Sequence, residues 1–192
     1  MAISDRLLRE RTARRRLIVR TARELAEREG WEAVTTRRLS TEIEYSQPVI
    51  YKHFTSMENL VAAVALEGFD GLTEALREAR THAAPGLALA AVARAYSTFA
   101  AQNPALYDAM FTRATTLRFG GTEDTPAPLS AAYAELRTAA ATIAGSSDVD
   151  TLTEVFWAAL HGLTTLSRSD RLRPEHADDR MELLIAQFQT VA

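Results

Sequence analysis

The chain contains no cysteine. That absence excludes disulfide frameworks, thiolate zinc sites, thiol nucleophiles and redox-active dithiols together. Its four histidines (His53, His82, His161, His176) show no HExxH or other metal-ligand spacing, and no glycine-rich phosphate loop is present. Long apolar runs are missing as well. The longest uncharged stretches, Thr81–Ala93 and Ala95–Tyr107, run to 13 residues and contain Pro85 or Pro104, too short to span a bilayer. Residues 1–16 carry Asp5, Arg6, Arg9, Glu10 and four more arginines where a signal peptide needs an apolar core. The expectation is a soluble cytoplasmic protein with no cofactor, no metal and no membrane partner.

What is present is ordinary for a globular protein: 192 residues, 47% apolar and 24% charged. A chain of this length can bury about 70% of its unfolded surface without a disulfide or metal staple. Lysine is nearly absent, with Lys52 alone against 21 arginines, and alanine fills 35 positions. That skew matches high-GC codon usage, so arginine number alone says little about phosphate. Arginine position says more. Residues 1–60 hold 12 basic and 9 acidic groups, a net +3, whereas residues 61–192 hold 10 and 16, a net −6. A basic end on an acidic chain is suited to charge-steered contact with a polyanion.

Helical periodicity dominates, with no convincing alternating strand pattern, which predicts an all-α fold of about nine helices. The first helix is predicted over Asp5–Glu29, with Ile18, Ala22 and Leu25 buried and Gly30 as its stop. A short helix capped by Thr35 or Thr36 follows, then a break at Glu44–Ser46 and a second short helix over Gln47–His53, with Ser46 as cap. Thr55 and Glu58 read as a capping box for a helix to about Arg80. Further helices are expected over Pro85–Gln102, Ala105–Leu117, Leu129–Ala144, Asp148–Ser169 (capped by Ser147) and Pro174–Gln189, with a loop over Arg118–Pro128. Residues 1–56 are predicted as one domain and 57–192 as another.

Two short helices joined by a tight turn and backed by a long one describe a helix-turn-helix module. Gln47, Pro48 and Val49 lead the second helix; Gln47 suits an adenine edge and Val49 a thymine methyl. Tyr51, Lys52 and His53 close it with three groups able to reach phosphate oxygens, and Thr36 and Arg37 open the first short helix where a phosphate also fits. Arg11–Arg16 reads either as a solvated helix face or as an arm beside the module.

Thr35-Thr36-Arg37-Arg38-Leu39, followed by Ser46-Gln47-Pro48-Val49-Ile50-Tyr51-Lys52-His53-Phe54, resembles the DNA-binding domain of TetR family transcriptional repressors over about Leu17–Leu60. The resemblance implies that Arg37, Gln47, Pro48 and Val49 approach bases. It implies that Thr36, Tyr51, Lys52 and His53 hold phosphates. Three positions depart from the family pattern. Glu44 replaces the turn glycine, Met57 replaces a lysine, and Val49 replaces a threonine.

Trp157-Ala158-Ala159-Leu160-His161-Gly162, with Asn103-Pro104-Ala105-Leu106-Tyr107 upstream, resembles one C-terminal subtype of the same family. Phe69, Tyr96, Phe99, Tyr107, Phe111, Trp157 and His161 form a candidate ligand pocket, with plain core as the competing reading. Phe156, Ala159, Leu160, Leu163, Met181, Leu184, Ile185 and Phe188 are candidates for a dimer interface on the last two helices, or for the protomer's own core.

The implied function is a homodimeric repressor that binds a palindromic operator and is released by a small-molecule effector. The alternatives are a helical ligand-binding or interaction protein without DNA binding, and a metal-dependent bundle enzyme. The second would have only weak candidate ligands, Glu154 with His161, or His176 with Asp178, Asp179 and Glu182.

Overall fold

The computed structural model describes residues 2–113, 117–118 and 125–190. Among them are nine α-helices and no strand: α1 (Ala2–Glu29), α2 (Thr36–Glu42), α3 (Gln47–His53), α4 (Met57–His82), α5 (Ala88–Gln102), α6 (Pro104–Phe111), α7 (Ala127–Ala141), α8 (Val149–Arg168) and α9 (Ala177–Thr190). Short 3-10 turns occupy Trp31–Ala33 and Pro174–His176. The fold is all-α. Most of the predicted loop over Arg118–Pro128 lies outside the described residues; the helix predicted over Ala105–Leu117 runs over Pro104–Phe111 instead, with Thr112 as its C-cap and Arg113 already outside it.

The chain forms two compact units, residues 1–68 with 103–118, and residues 69–102 with 119–192. The sequence places a boundary at Met57, where α4 begins. Compactness divides instead inside α4, after Gly68, and assigns α6 to the first unit.

In the first unit the buried stripe of α1 is the predicted one, Ile18, Ala22 and Leu25, joined by Leu39, Ile43, Ile50 and Phe54. Gly30 ends α1 at φ 82, a left-handed backbone that glycine adopts without a Cβ penalty. Thr35 caps α2, its Oγ1 accepting from the Arg38 amide at 3.1 Å. Two caps differ from expectation. Ser46 occupies the N-cap position of α3 but its side chain makes no capping bond. For α4 the cap is Ser56, whose Oγ accepts from the Asn59 amide at 3.2 Å, while Thr55 Oγ1 accepts from the Asn59 side chain at 2.6 Å. Because α4 starts at Met57, the capping register falls one residue later than Thr55 and Glu58.

The turn between α2 and α3 holds Glu44 at φ 56. The left-handed region strains a residue bearing a Cβ by about 1–2 kcal/mol. Glu44→Gly removes that strain but enlarges the unfolded ensemble, so a net gain of about 0.5–1 kcal/mol is expected. Thermal unfolding should register it as a rise in Tm of a few degrees; an unchanged or lower Tm contradicts the strain.

In the second unit Glu135 of α7, only 8% exposed, receives Arg77 Nε at 2.9 Å and Arg80 Nη2 at 2.8 Å. This pair of arginines ties the C-terminal half of α4 to α7 and leaves no lone buried charge. Asp148 caps α8 in place of the expected Ser147; its Oδ1 accepts from both the amide and the hydroxyl of Thr151 at 2.8 Å. Those bonds favour the ionised carboxylate and lower its pKa. Gly86, at φ 79, delays the start of α5 from the predicted Pro85 to Ala88. No described helix is long and apolar enough to cross a membrane.

Candidate nucleic-acid interface

The helix-turn-helix presents one clean face. On α3, Gln47, Pro48, Tyr51 and Lys52 are exposed, a spacing that places them on one side of a helix, while Ile50 is buried beneath. Val49 and His53 are half-buried at its margins. Pro48 sits in the first turn, where its missing N–H costs no bond.

The neighbouring arginines of α2 have opposite fates. Arg38 is locked to Glu29 at 2.9 Å and Glu42 at 3.1 Å. Arg37 is exposed, and neither it nor Lys52 has an ion-pair partner among the described residues. Thr36, half-buried, opens the same helix. Of the α2 and α3 cations Arg37, Arg38 and Lys52, the two flanking the turn are therefore the ones left available to an external anion.

Arg15 of α1 braces this face, a role that residue-type reasoning missed. Its Nη1 donates to the His53 carbonyl at 3.0 Å, and its guanidinium lies 4.2 Å from the Phe54 ring centroid. A cation at the C-terminal end of α3 complements the helix dipole and stacks on the adjacent ring. Arg15 is thus a positioning residue for α3. Partial burial lowers the His53 pKa below the ordinary 6.5, helped by Arg11, Arg14 and Arg15 nearby. That lowering favours the neutral ring in the free protein, and an adjacent anion would favour the charged one.

The first unit also contains a clamp that was not legible from spacing. Glu27 accepts from the amides of Ala105 and Leu106 at 3.0 and 2.9 Å, so a carboxylate of α1 caps the N-terminus of α6. Beside it Arg23 Nη2 donates to Asn103 Oδ1 at 2.8 Å, and Trp31 Nε1 donates to the Ala105 carbonyl at 2.8 Å. Arg113 bridges to Glu32 at 2.9 Å and lies 5.3 Å above the Trp31 ring. On the other side of α6, a Cβ on Gly68 of α4 would come within 2.6 Å of Met110 Sδ. Glycine is what allows that approach.

The candidate ligand residues divide between the units. Phe69, Tyr96 and Phe99 are buried in the second unit, where half-buried Trp157 donates from Nε1 to the Tyr96 hydroxyl at 3.2 Å. His161 is half-buried beside Thr165, with its pKa lowered by burial. Tyr107 and Phe111 belong to the first unit, their ring centroids 4.7 Å apart.

The candidate dimer residues need a correction. Phe156, Leu160 and Ile185 are buried inside the protomer, Phe156 packing edge-on to Phe188 at 5.1 Å, so these three serve its own core. Ala159, Leu163, Met181, Leu184 and Phe188 are half-buried. The outward face of α8 and α9 carries Val155, Leu166 and Leu183 instead, exposed by 55%, 39% and 61%. Gly162 lies on it with nothing within 4 Å of where a Cβ would sit.

No group of three or more candidate ligand side chains among the described residues could hold a metal ion. His176 pairs instead with Asp179, Nδ1 to Oδ2, at 3.0 Å.

An exposed recognition helix on a three-helix head, followed by an all-helical unit, defines a helix-turn-helix regulator. Comparison with known proteins narrows the class. The family of bacterial regulatory proteins, tetR family, matches residues 18–64, and the tetracyclin repressor-like C-terminal domain matches residues 89–188. The chain is 30% identical over 154 residues to the HTH-type transcriptional regulator Rv0681 of Mycobacterium tuberculosis, spanning 79% of this chain and 69% of that protein. A solved structure from Rhodococcus sp. RHA1 has a TM-score of 0.77 at 24% identity, over 92% of this chain and 93% of that one. RolR in complex with its ligand resorcinol has a TM-score of 0.63 at 17% identity, over 96% and 89%. The chain belongs to the TetR family of transcriptional regulators.

Proposed function

We propose that the protein is a cytoplasmic, homodimeric repressor that binds a palindromic DNA operator and is released by a small-molecule effector in its C-terminal unit. The observation that carries this reading is the exposed face of α3, with Lys52 on it and Arg37 across the turn, neither having an ion-pair partner among the described residues. Arg37, Gln47, Pro48 and Val49 are assigned to bases. Thr36, Tyr51, Lys52 and His53 are assigned to phosphates. The effector role draws support from RolR, a structural relative solved with a small ligand. Release would act through α4, which begins in the head and ends in the C-terminal unit; the effector must bind the two states unequally to do so.

His53 supplies a pH test. A phosphate beside it favours the protonated ring, so DNA binding takes up a proton. Affinity is therefore expected to rise as pH falls through the region of 6.5 toward the lowered value. Fluorescence anisotropy across that range should show the slope in the parent and lose it in His53→Gln. An identical slope in both removes His53 from the phosphate set.

One recognition helix contacts too few base pairs for useful affinity at cellular salt, and a two-fold dimer supplies two. The outward face of α8 bearing Val155, Gly162 and Leu166 is proposed for that contact, because two exposed apolar side chains share a helix face with an open glycine there. Gly162→Arg has room within the protomer and replaces a poor helix former, so the protomer stays folded. Sedimentation should nevertheless show dimer association weakened by about tenfold or more. A dimer of unchanged strength rejects this face.

A further inference from the structure

Between α5, α8 and the start of α9, within the second unit, lies a cavity of about 620 Å³, a volume typical of small-molecule sites. It differs in kind from the aromatic cluster around Tyr96, since no aromatic side chain lines it. Three arginines reach it from three separate helices, Arg94, Arg168 and Arg180. Like charges gathered at one opening raise the local positive potential and favour an anion there. Arg180 is oriented by a 2.9 Å hydrogen bond to the Arg173 carbonyl, and Arg168 by one of 3.0 Å to the Ala100 carbonyl. Arg94 and Arg180 have no ion-pair partner among the described residues.

Two acids, Asp178 and Glu182, stand one turn apart on α9 at the same cleft. Three arginines against two acids leave a formal +1 among the lining side chains. That balance suits a single carboxylate better than a phosphate ester or nucleotide bearing several charges. Leu163 and Met181 supply an aliphatic wall, the methionine able to adapt to an irregular apolar body.

The independent sign of an occupant is Thr164. It is only 7% exposed, lines the cleft, and its Oγ1 is buried with no hydrogen-bond partner among the described residues. Buried hydroxyls are almost always satisfied, so an oxygen left open at a cleft wall points to a group that arrives from outside.

We propose that this cleft binds a small amphipathic monocarboxylate, its carboxylate held by Arg94, Arg168 and Arg180 and its aliphatic body against Leu163 and Met181. The inference rests on the reading that the C-terminal unit takes up a small molecule, but binding is measured on the full chain without DNA.

Isothermal titration with octanoate, decanoate and the neutral octanamide tests it. A saturable site, one per chain, is expected for octanoate or decanoate, with octanamide weaker by about tenfold because it cannot form charge-assisted bonds to guanidinium. Arg94→Glu and Arg180→Glu should each weaken carboxylate binding by about tenfold, and Ala101→Trp should block it by filling the cleft. Arg94 is exposed, so its charge reversal leaves folding intact even where another variant does not fold. Failure of both carboxylates to saturate, equal affinity for the amide, or unchanged affinity in Arg94→Glu overturns the proposal. Carboxylate binding that obeys these rules while leaving DNA affinity untouched supports the site and rejects effector control through it.

Discussion

Combining Arg37→Ala with Lys52→Glu is expected to lower DNA affinity by about a thousandfold while leaving the protein folded and dimeric. Each altered side chain is exposed and has no ion pair among the described residues, so its loss costs the folded protein little. Each occurs twice in a dimer. Losing a base-edge or phosphate contact costs about 1 kcal/mol or more, and four such losses exceed about 4 kcal/mol, which is about three decades of affinity. Reversing the Lys52 charge should also flatten the dependence of log affinity on log salt, since fewer counterions are released. Arg38→Ala is the matched control. Arg38 is held by Glu29 and Glu42, so its removal should alter head stability more than salt slope. Unchanged affinity in the double variant rejects the assigned interface.

The second large effect concerns the clamp on α6. Glu27→Ala should destabilise the first unit by about 3 kcal/mol, because two backbone amides lose charge-assisted acceptors at a half-buried helix end. Glu27→Gln keeps one acceptor oxygen and should lose about half as much. Urea unfolding measures the total, and hydrogen exchange locates it: the Ala105 and Leu106 amides should exchange faster in Glu27→Ala. Unaltered protection at those two amides contradicts the capping role, whatever the global stability.

These two sites mark the limits of what patterning could supply. The head was legible because its signals are local. Ile18, Ala22 and Leu25 recur at helical spacing, Thr35 precedes α2, and Glu44 stands where the motif requires a left-handed residue. All three readings survive as burial, a 3.1 Å cap and φ 56. The clamp was not legible, since Glu27 and its amide partners are 78 and 79 positions apart and nothing in either segment signals the other. Within Arg11–Arg16, which reads as a solvated face or an arm beside the module, nothing in the spacing singles out Arg15 as the residue that meets the end of α3. In the C-terminal unit, apolar spacing identified a face on α8 but not what covers it. Phe156 and Leu160 fill the protomer's own core, whereas Val155, which shares that spacing, is exposed. Caps slipped by one residue at Ser56 and Asp148 because serine, threonine and aspartate cluster at both helix starts.

The central claim, that the exposed face of α3 grips DNA as part of a dimer, is tested most directly by titrating the protein onto the DNA fragment immediately upstream of its own gene at several salt concentrations. The account predicts retardation by two chains per site, with affinity falling steeply as salt rises. No retardation of that fragment, or of any genomic fragment, at low salt would contradict it and leave a helical ligand-binding protein that has lost its DNA partner.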